Sequence, residues 1–257
     1  MTEKIFKEEK KMKKQIKNLL LTVSVSILFL ASWKIISIML DYRQDAQIYQ
    51  QANQKYVTNK QFQDVQTEEN NESEESEMQA EHDNWYEMVA VNLEELQEEN
   101  PDIVGWLYFE AEEISYPILY SGDNEAYLHT AYNKKTAAAG SIFLDGNNAP
   151  DFSDHYNIIY GHNMKDLSMF GRLKFYRTKE DYYETHKYFQ IIIKDRYDRY
   201  CITEYKEVAA SDAVYELTEE KKRALSETLV LSTCTSGENR FILHAIKTDT
   251  WKGENDK

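Results

Sequence analysis

The sequence predicts a mainly β domain, a closed or nearly closed barrel with helices on its rim, carried behind a single transmembrane helix. Three observations carry this: an apolar run near the N-terminus, an acidic stretch without apolar periodicity behind it, and then a succession of short apolar runs separated by turn residues. The balance of 30 Lys plus Arg against 45 Asp plus Glu, a formal net charge of -15, makes a surface that repels phosphate. Nucleic acid is therefore not an expected partner.

Residues 1–17 hold seven Lys and three Glu, a basic segment ahead of the run NLLLTVSVSILFLASWKIISIML at residues 18–40. At ~1.5 Å per residue that run is long enough for a hydrocarbon core of ~30 Å, and it predicts a transmembrane anchor. Its one charge, Lys34, falls near the outer end, where the aliphatic stem lets the ammonium reach the headgroups. A cleaved signal peptide also begins with a basic region, but its apolar core is only ~7–15 residues and closes on a small-x-small site that this run lacks. The positive-inside rule then sets the N-terminus in the cytoplasm and the chain beyond residue 40 outside the cell.

Residues 41–84 are Gln-rich and then acidic, with no Lys or Arg from Gln66 to Asp83. Such a segment buries too little apolar area to offset its ordering entropy and reads as an acidic extracellular tether, with helical potential over residues 44–57. Residues 85–257 are long enough for one core and form the expected folded domain. They open on a short amphipathic helix ending before Pro101, followed by a strand at 103–109. The runs ISYPILY, GSIFLDG, YNIIYGH, YFQIIIKD, RYCITEYKEV, TLVLSTC and RFILHAI are rich in Ile, Val, Tyr and Phe and read as strands. Helical interruptions are expected at 124–130, 168–176, 179–186 and 218–227. The acid-rich stretch from Asp145 to Asp154 lacks calcium-loop spacing and reads as a solvated turn.

The chemistry centres on Cys234, which ends the strand Leu229-Val-Leu-Ser-Thr-Cys. Five residues later Arg240 opens the next strand, so a hairpin sets the two side by side. A guanidinium beside a thiol favours the thiolate, which is the nucleophile, and it also suits a developing oxyanion. Two bland readings stand against this: a packed small hydrophobe, which suits Cys201, or a Cys201–Cys234 disulfide permitted outside the cell. Of the other five His, His82 lies in the tether and His244 sits ~13 Å along the Arg240 strand. His129, His155 and His186 are also available as a base. His162 follows Gly161 at the end of the strand NIIY, where a base facing Cys234 is expected.

The segments Tyr160-Gly-His-Asn-Met-Lys-Asp-Leu-Ser-Met-Phe, Leu231-Ser-Thr-Cys and Arg240-Phe-Ile-Leu-His-Ala resemble the His, Cys and Arg motifs of the sortases, class B in particular. Asn100-Pro-Asp-Ile-Val-Gly-Trp-Leu, Ile114-Ser-Tyr-Pro-Ile, Gly122-Asp-Asn-Glu and Gly140-Ser-Ile-Phe-Leu-Asp resemble class B as well, and the set spans about residues 85–248. The resemblance implies an eight-stranded sortase-type barrel with N-terminal helices and a helix before the Cys strand. It implies a cysteine transpeptidase that cleaves a C-terminal sorting motif after Thr through a thioacyl-enzyme. The partners so implied are surface proteins bearing that signal and an amine of a peptidoglycan precursor or a pilin, with no cofactor and no metal. His162, Cys234 and Arg240 are the implied catalytic residues; Asn124, Leu128, Ser232 and Thr233 are implied to contact the sorting peptide. The loop departs from the class: Thr235 and Ser236 follow the Cys where class B sortases often have an acid, and the loop before Arg240 is shorter. Two rival readings are a surface thiol protease using water as acceptor and a non-enzymatic tethered binding barrel.

Overall fold

The computed structural model describes residues 2–59, 89–234 and 238–252. The expectations for the rest of the tether from residue 60, for residues 85–88 and for Thr235 and Ser236 lie outside them. The chain divides into two compact units, Met1–Gln44 and Asp45–Lys257.

The first unit is helical, part of α1 (Thr2–Tyr56). Leu28, Phe29 and Trp33 are all more than 60% exposed, so this stretch owes nothing to a packed core. Among the described residues α1 is the one helix long and apolar enough to cross a membrane.

In the second unit the last turns of α1 behave differently. Ile48, Tyr49, Ala52 and Tyr56 are buried at helical spacing, a stripe that packs rather than a solvated coil. Residues 45–56, expected within the tether, are thus helical and belong to the same compact unit as the barrel. The physical reason is this apolar stripe, short enough to be lost among the Gln residues of QIYQQANQKY. After it β1 (Val57–Asn59) pairs antiparallel with β2 (Val89–Val91), and α2 (Leu93–Glu99) follows, its N-cap Asn92 accepting from the Glu95 amide. The Tyr56 hydroxyl donates to Glu99 at 2.6 Å, tying the end of α1 to α2.

Eight strands then close the barrel: β3 (Ile103–Phe109), β4 (Ser115–Leu119), β5 (Ile142–Leu144), β6 (Tyr156–Tyr160), β7 (Tyr188–Ile193), β8 (Arg196–Ala209), β9 (Thr228–Cys234) and β10 (Asn239–Lys252). Their order around the barrel is β10, β8, β7, β3, β4, β5, β6, β9, with β9 pairing back to β10. Closure leaves no edge strand. Two pairs are parallel, β4 with β5 and β6 with β9, and the others antiparallel. Inside, Leu107, Ile118, Ile159, Leu231 and Leu243 are fully buried. Outside, Tyr156, Ile158, Val208, Val230 and Ile242 form a second cluster covered by Val214, Tyr215 and Leu217 of the β8–β9 connection. Both faces of β6 and β9 are therefore buried, which is why Ile158-Ile159 and Leu229-Val230-Leu231 within them are apolar on consecutive positions.

Of the expected helical interruptions, one is not helical. Residues 124–130 form turns instead of a helix, because the carbonyls of Tyr127, Leu128 and His129 are taken by the Ser141 amide, His162 and the Ala137 amide rather than by amides farther along the same segment. The short helices at Phe175–Thr178, Tyr182–Thr185 and Glu219–Lys222 fall where interruptions are expected. The last is one turn, capped by Thr218, ahead of β9.

Gly161 is required by packing: a Cβ there would run into Ile142 and the ring of Phe170. Gly161→Ala should destabilise the domain by about 1–3 kcal/mol through overpacking, read as a fall in the thermal midpoint; an unchanged midpoint would show that the site has room to spare.

Candidate active site

Backbone register assembles the site. On the parallel β6–β9 pair Tyr160 is opposite Ser232; His162 lies two residues past the end of β6, and Cys234 is two residues farther along β9. The ladder continues past Tyr160, with the Gly161 amide donating to Ser232 oxygen at 3.1 Å. On the antiparallel β9–β10 pair Cys234 is opposite Arg240. Neighbouring strands are ~4.8 Å apart, so three positions distant in sequence meet at one end of the barrel. The sulfur of Cys234 is outside the described atoms. Cys201 is a free thiol, half-buried, on β8. It registers with Ile246 on β10, six residues from Arg240 and hence ~20 Å along the strand, far beyond disulfide reach of residue 234.

A cleft of about 330 Å³ opens at this end, lined by His162 and Arg240 and by all four residues expected to contact peptide, Asn124, Leu128, Ser232 and Thr233. Tyr160 and Phe143 form its aromatic surface and Tyr215 one wall. Tyr215 stacks on Tyr160 with ring planes 18° apart, and its hydroxyl lies 2.8 Å from Ser232 Oγ. Thr233 is 3% exposed and its hydroxyl has no hydrogen-bond partner among the described residues. A buried unpartnered hydroxyl is costly unless something else completes it.

His162 is half-buried, and its Nε2 lies 2.6 Å from the Leu128 carbonyl oxygen. A carbonyl only accepts, so Nε2 carries the proton and in the neutral ring Nδ1 holds the free lone pair. The ring of the exposed His129 lies nearly parallel to that of His162, centroids 5.8 Å apart. His244, by contrast, sits opposite Val230 and is not among the residues lining the cleft. Burial lowers its pKa.

Asp145 corrects the sequence reading. It is 4% exposed, and its carboxylate accepts from Tyr160 hydroxyl at 2.8 Å, Asn124 Nδ2 at 3.0 Å and the Asn147 amide at 2.8 Å. Asn124 in turn accepts from the Gly146 amide at 2.8 Å, so both ends of its amide are fixed. Asn148 and Asp154 are also bonded inward, the former donating to the latter at 2.9 Å. What looked like a solvated acidic turn is a hydrogen-bonded loop supporting the cleft. Burial first, and then the Asp145 charge, push the Tyr160 hydroxyl far above the ordinary tyrosine range, so it remains a donor. Sequence reasoning missed Asp145, Tyr160, Tyr215 and His129; the one available signal was the Asp closing GSIFLD directly after a buried strand. Asp145→Asn puts an amide donor where the carboxylate accepts, and should cost about 1–3 kcal/mol in chemical denaturation. An unchanged unfolding midpoint would contradict this network.

Comparisons with known proteins now bear on the same residues. A family model described as the sortase domain matches residues 108–248, more than half of the chain. The chain belongs to the sortase family. Sortase B of Listeria monocytogenes is 52% identical over 92 residues, 36% of this chain and 37% of that protein. The stretch it shares is therefore well short of that relative's length. Sortase B of Staphylococcus aureus is 30% identical over 166 residues, 63% of this chain and 68% of that protein. The crystal structure of sortase B from B. anthracis superposes with a TM-score of 0.60, covering 84% of this chain and 100% of that one at 21% identity, a likeness of fold. The class B resemblance read from the motifs agrees with both sortase B relatives.

Proposed function

We propose that this protein is a membrane-anchored cysteine transpeptidase that joins secreted proteins bearing a C-terminal sorting signal to an amine of the cell-wall precursor or of a pilin. The observation that carries this reading is the backbone register that sets residue 234 opposite Arg240 in a strand pair flanking the cleft that His162 also lines. Family membership supports the reaction class. The anchor is residues 18–40, with the basic residues 1–17 in the cytoplasm and the catalytic domain from residue 85 outside, following the Lys distribution.

In this reading the sorting peptide lies along the cleft. The Cys234 thiolate attacks the carbonyl carbon of the motif's Thr, and the carbonyl electrons move to its oxygen beside the Arg240 guanidinium. Collapse of that adduct breaks the peptide bond, and protonated His162 gives its proton to the leaving amine. A thioester remains. An incoming amine attacks it after losing a proton to His162, and the new amide forms as the thiolate departs. Asn124, held at both ends of its amide, keeps one N–H and one lone pair for the peptide backbone. The Leu128 side chain offers apolar contact, Ser232 lies beside the reacting carbonyl, and the Thr233 hydroxyl, without a partner among the described residues, is completed by a peptide group.

The test uses the full-length chain in detergent with a panel of Thr-containing sorting peptides and either oligoglycine or a Lys side-chain amine. Amide exchange is expected, and Cys234→Ala should abolish it. Full turnover by that variant would remove the nucleophile assigned here. Arg240→Lys should lower kcat by about 10²-fold while the fold persists, since a lysine cannot reproduce the guanidinium fork. Release of free acid only, at every amine concentration, would assign the protein to hydrolysis with water as acceptor.

A further inference from the structure

We infer that Tyr49, near the end of α1, is a positioning residue for His162, acting through the Leu128 carbonyl. The inference rests on His162 being the acid/base of the proposed reaction. Its geometry is a chain of three contacts within the second unit.

The first contact is between helix and loop. The Tyr49 hydroxyl donates to the Gly140 carbonyl and lies 3.1 Å from Ser141 Oγ. One turn earlier, Asp45 accepts from the Ala139 amide at 2.9 Å. Three consecutive residues ahead of β5 are thus held by one face of one helix. Tyr49 is 4% exposed and packs edge-on to Tyr116, with ring centroids 5.4 Å apart. Burial raises the pKa of its hydroxyl, which keeps it a donor throughout the physiological range.

The second contact is between loop and loop. Gly140 has φ +55°, and a Cβ there would run into the Leu128 carbonyl oxygen, so glycine alone lets the two backbones meet. Ser141 fixes the same pairing from both sides of Leu128: its amide donates to Tyr127 oxygen at 3.0 Å and its hydroxyl to Thr130 oxygen at 2.7 Å. The third contact is the 2.6 Å bond from His162 Nε2 to that Leu128 oxygen. The carbonyl that fixes which nitrogen of His162 holds the proton is itself fixed by a helix outside the barrel. A displacement on the order of 1 Å at a proton-transfer group costs up to ~10²-fold in rate, so a hydroxyl three contacts away has leverage on turnover.

The experiment compares the full-length chain with Tyr49→Phe, which keeps the ring against Tyr116 and removes only the hydroxyl. Two quantities are read: kcat and KM for peptide exchange, and the Nε2–H signal of His162 in a protein carrying ¹⁵N-labelled histidine rings, assigned with His162→Gln. The expected result is a roughly 10-fold or greater loss in kcat with KM within about 2-fold, together with a shift or broadening of the Nε2–H signal. An unshifted Nε2–H signal in Tyr49→Phe overturns the inference, whatever the activity does. Should the wild-type protein exchange no peptide, or Cys234→Ala exchange as well as the wild type, the functional reading fails, while the Nε2–H comparison still decides whether Tyr49 governs the ring. If Tyr49→Phe fails to fold, Asp45→Ala releases the same loop one turn away and should move the same signal; an unmoved signal there counts equally against it.

Discussion

The parallel pairing of β6 with β9 is the constraint on which the rest of the site depends. A parallel pair carries both strands in the same direction, so whatever follows each one emerges at the same end of the barrel. With Tyr160 opposite Ser232, the two residues after each strand position bring His162 and Cys234 to a common level, and the antiparallel return of β10 adds Arg240. No loop has to fold around a substrate to bring these backbone positions together. The slow, non-local closure of such a barrel is the cost, because the ends of a long connection must meet before its contacts reward it.

The second feature is how His162 is oriented. In a Ser-His-Asp arrangement a carboxylate fixes the imidazole tautomer. Here that task falls to the main-chain oxygen of Leu128, and the positions after Cys234 carry Thr235 and Ser236 in place of an acid. A carbonyl sets the tautomer without adding a charge beside the imidazole, leaving Arg240 as the charged neighbour in the cleft lining. The carboxylate that does matter, Asp145, works one layer back by fixing Asn124 and Tyr160 through hydrogen bonds. Polar groups at this end are therefore arranged in two tiers, one facing the cleft and one holding the first in place.

Most of the barrel was legible because its strands are short β-branched and aromatic runs with clear turn residues between them. The Cys234–Arg240 pairing was legible for the same reason: a hairpin has only one sensible register at that loop length. What escaped were features that depend on contacts between distant segments. Residues 45–56 look like polar tether because only four buried apolar side chains at helical spacing distinguish them, and Tyr56, Asn53 and Asp45 find hydrogen-bond partners 43, 62 and 94 residues away. The 124–130 turn was missed because the carbonyls of Tyr127, Leu128 and His129 find their partners in Ser141, His162 and Ala137, which no local pattern announces. Asp145 read as solvated because the Tyr and Asn it serves are brought to it by the sheet, which no local pattern announces.

The most direct measurement of the central claim is intact-protein mass spectrometry of the full-length chain mixed with a sorting peptide in the absence of any amine, followed by peptide mapping. The account predicts an added mass equal to the peptide up to its Thr, located on Cys234 and discharged when an amine is supplied. An unmodified Cys234 with the adduct on Cys201, or cleavage of the peptide with no thioester at either position, would contradict it.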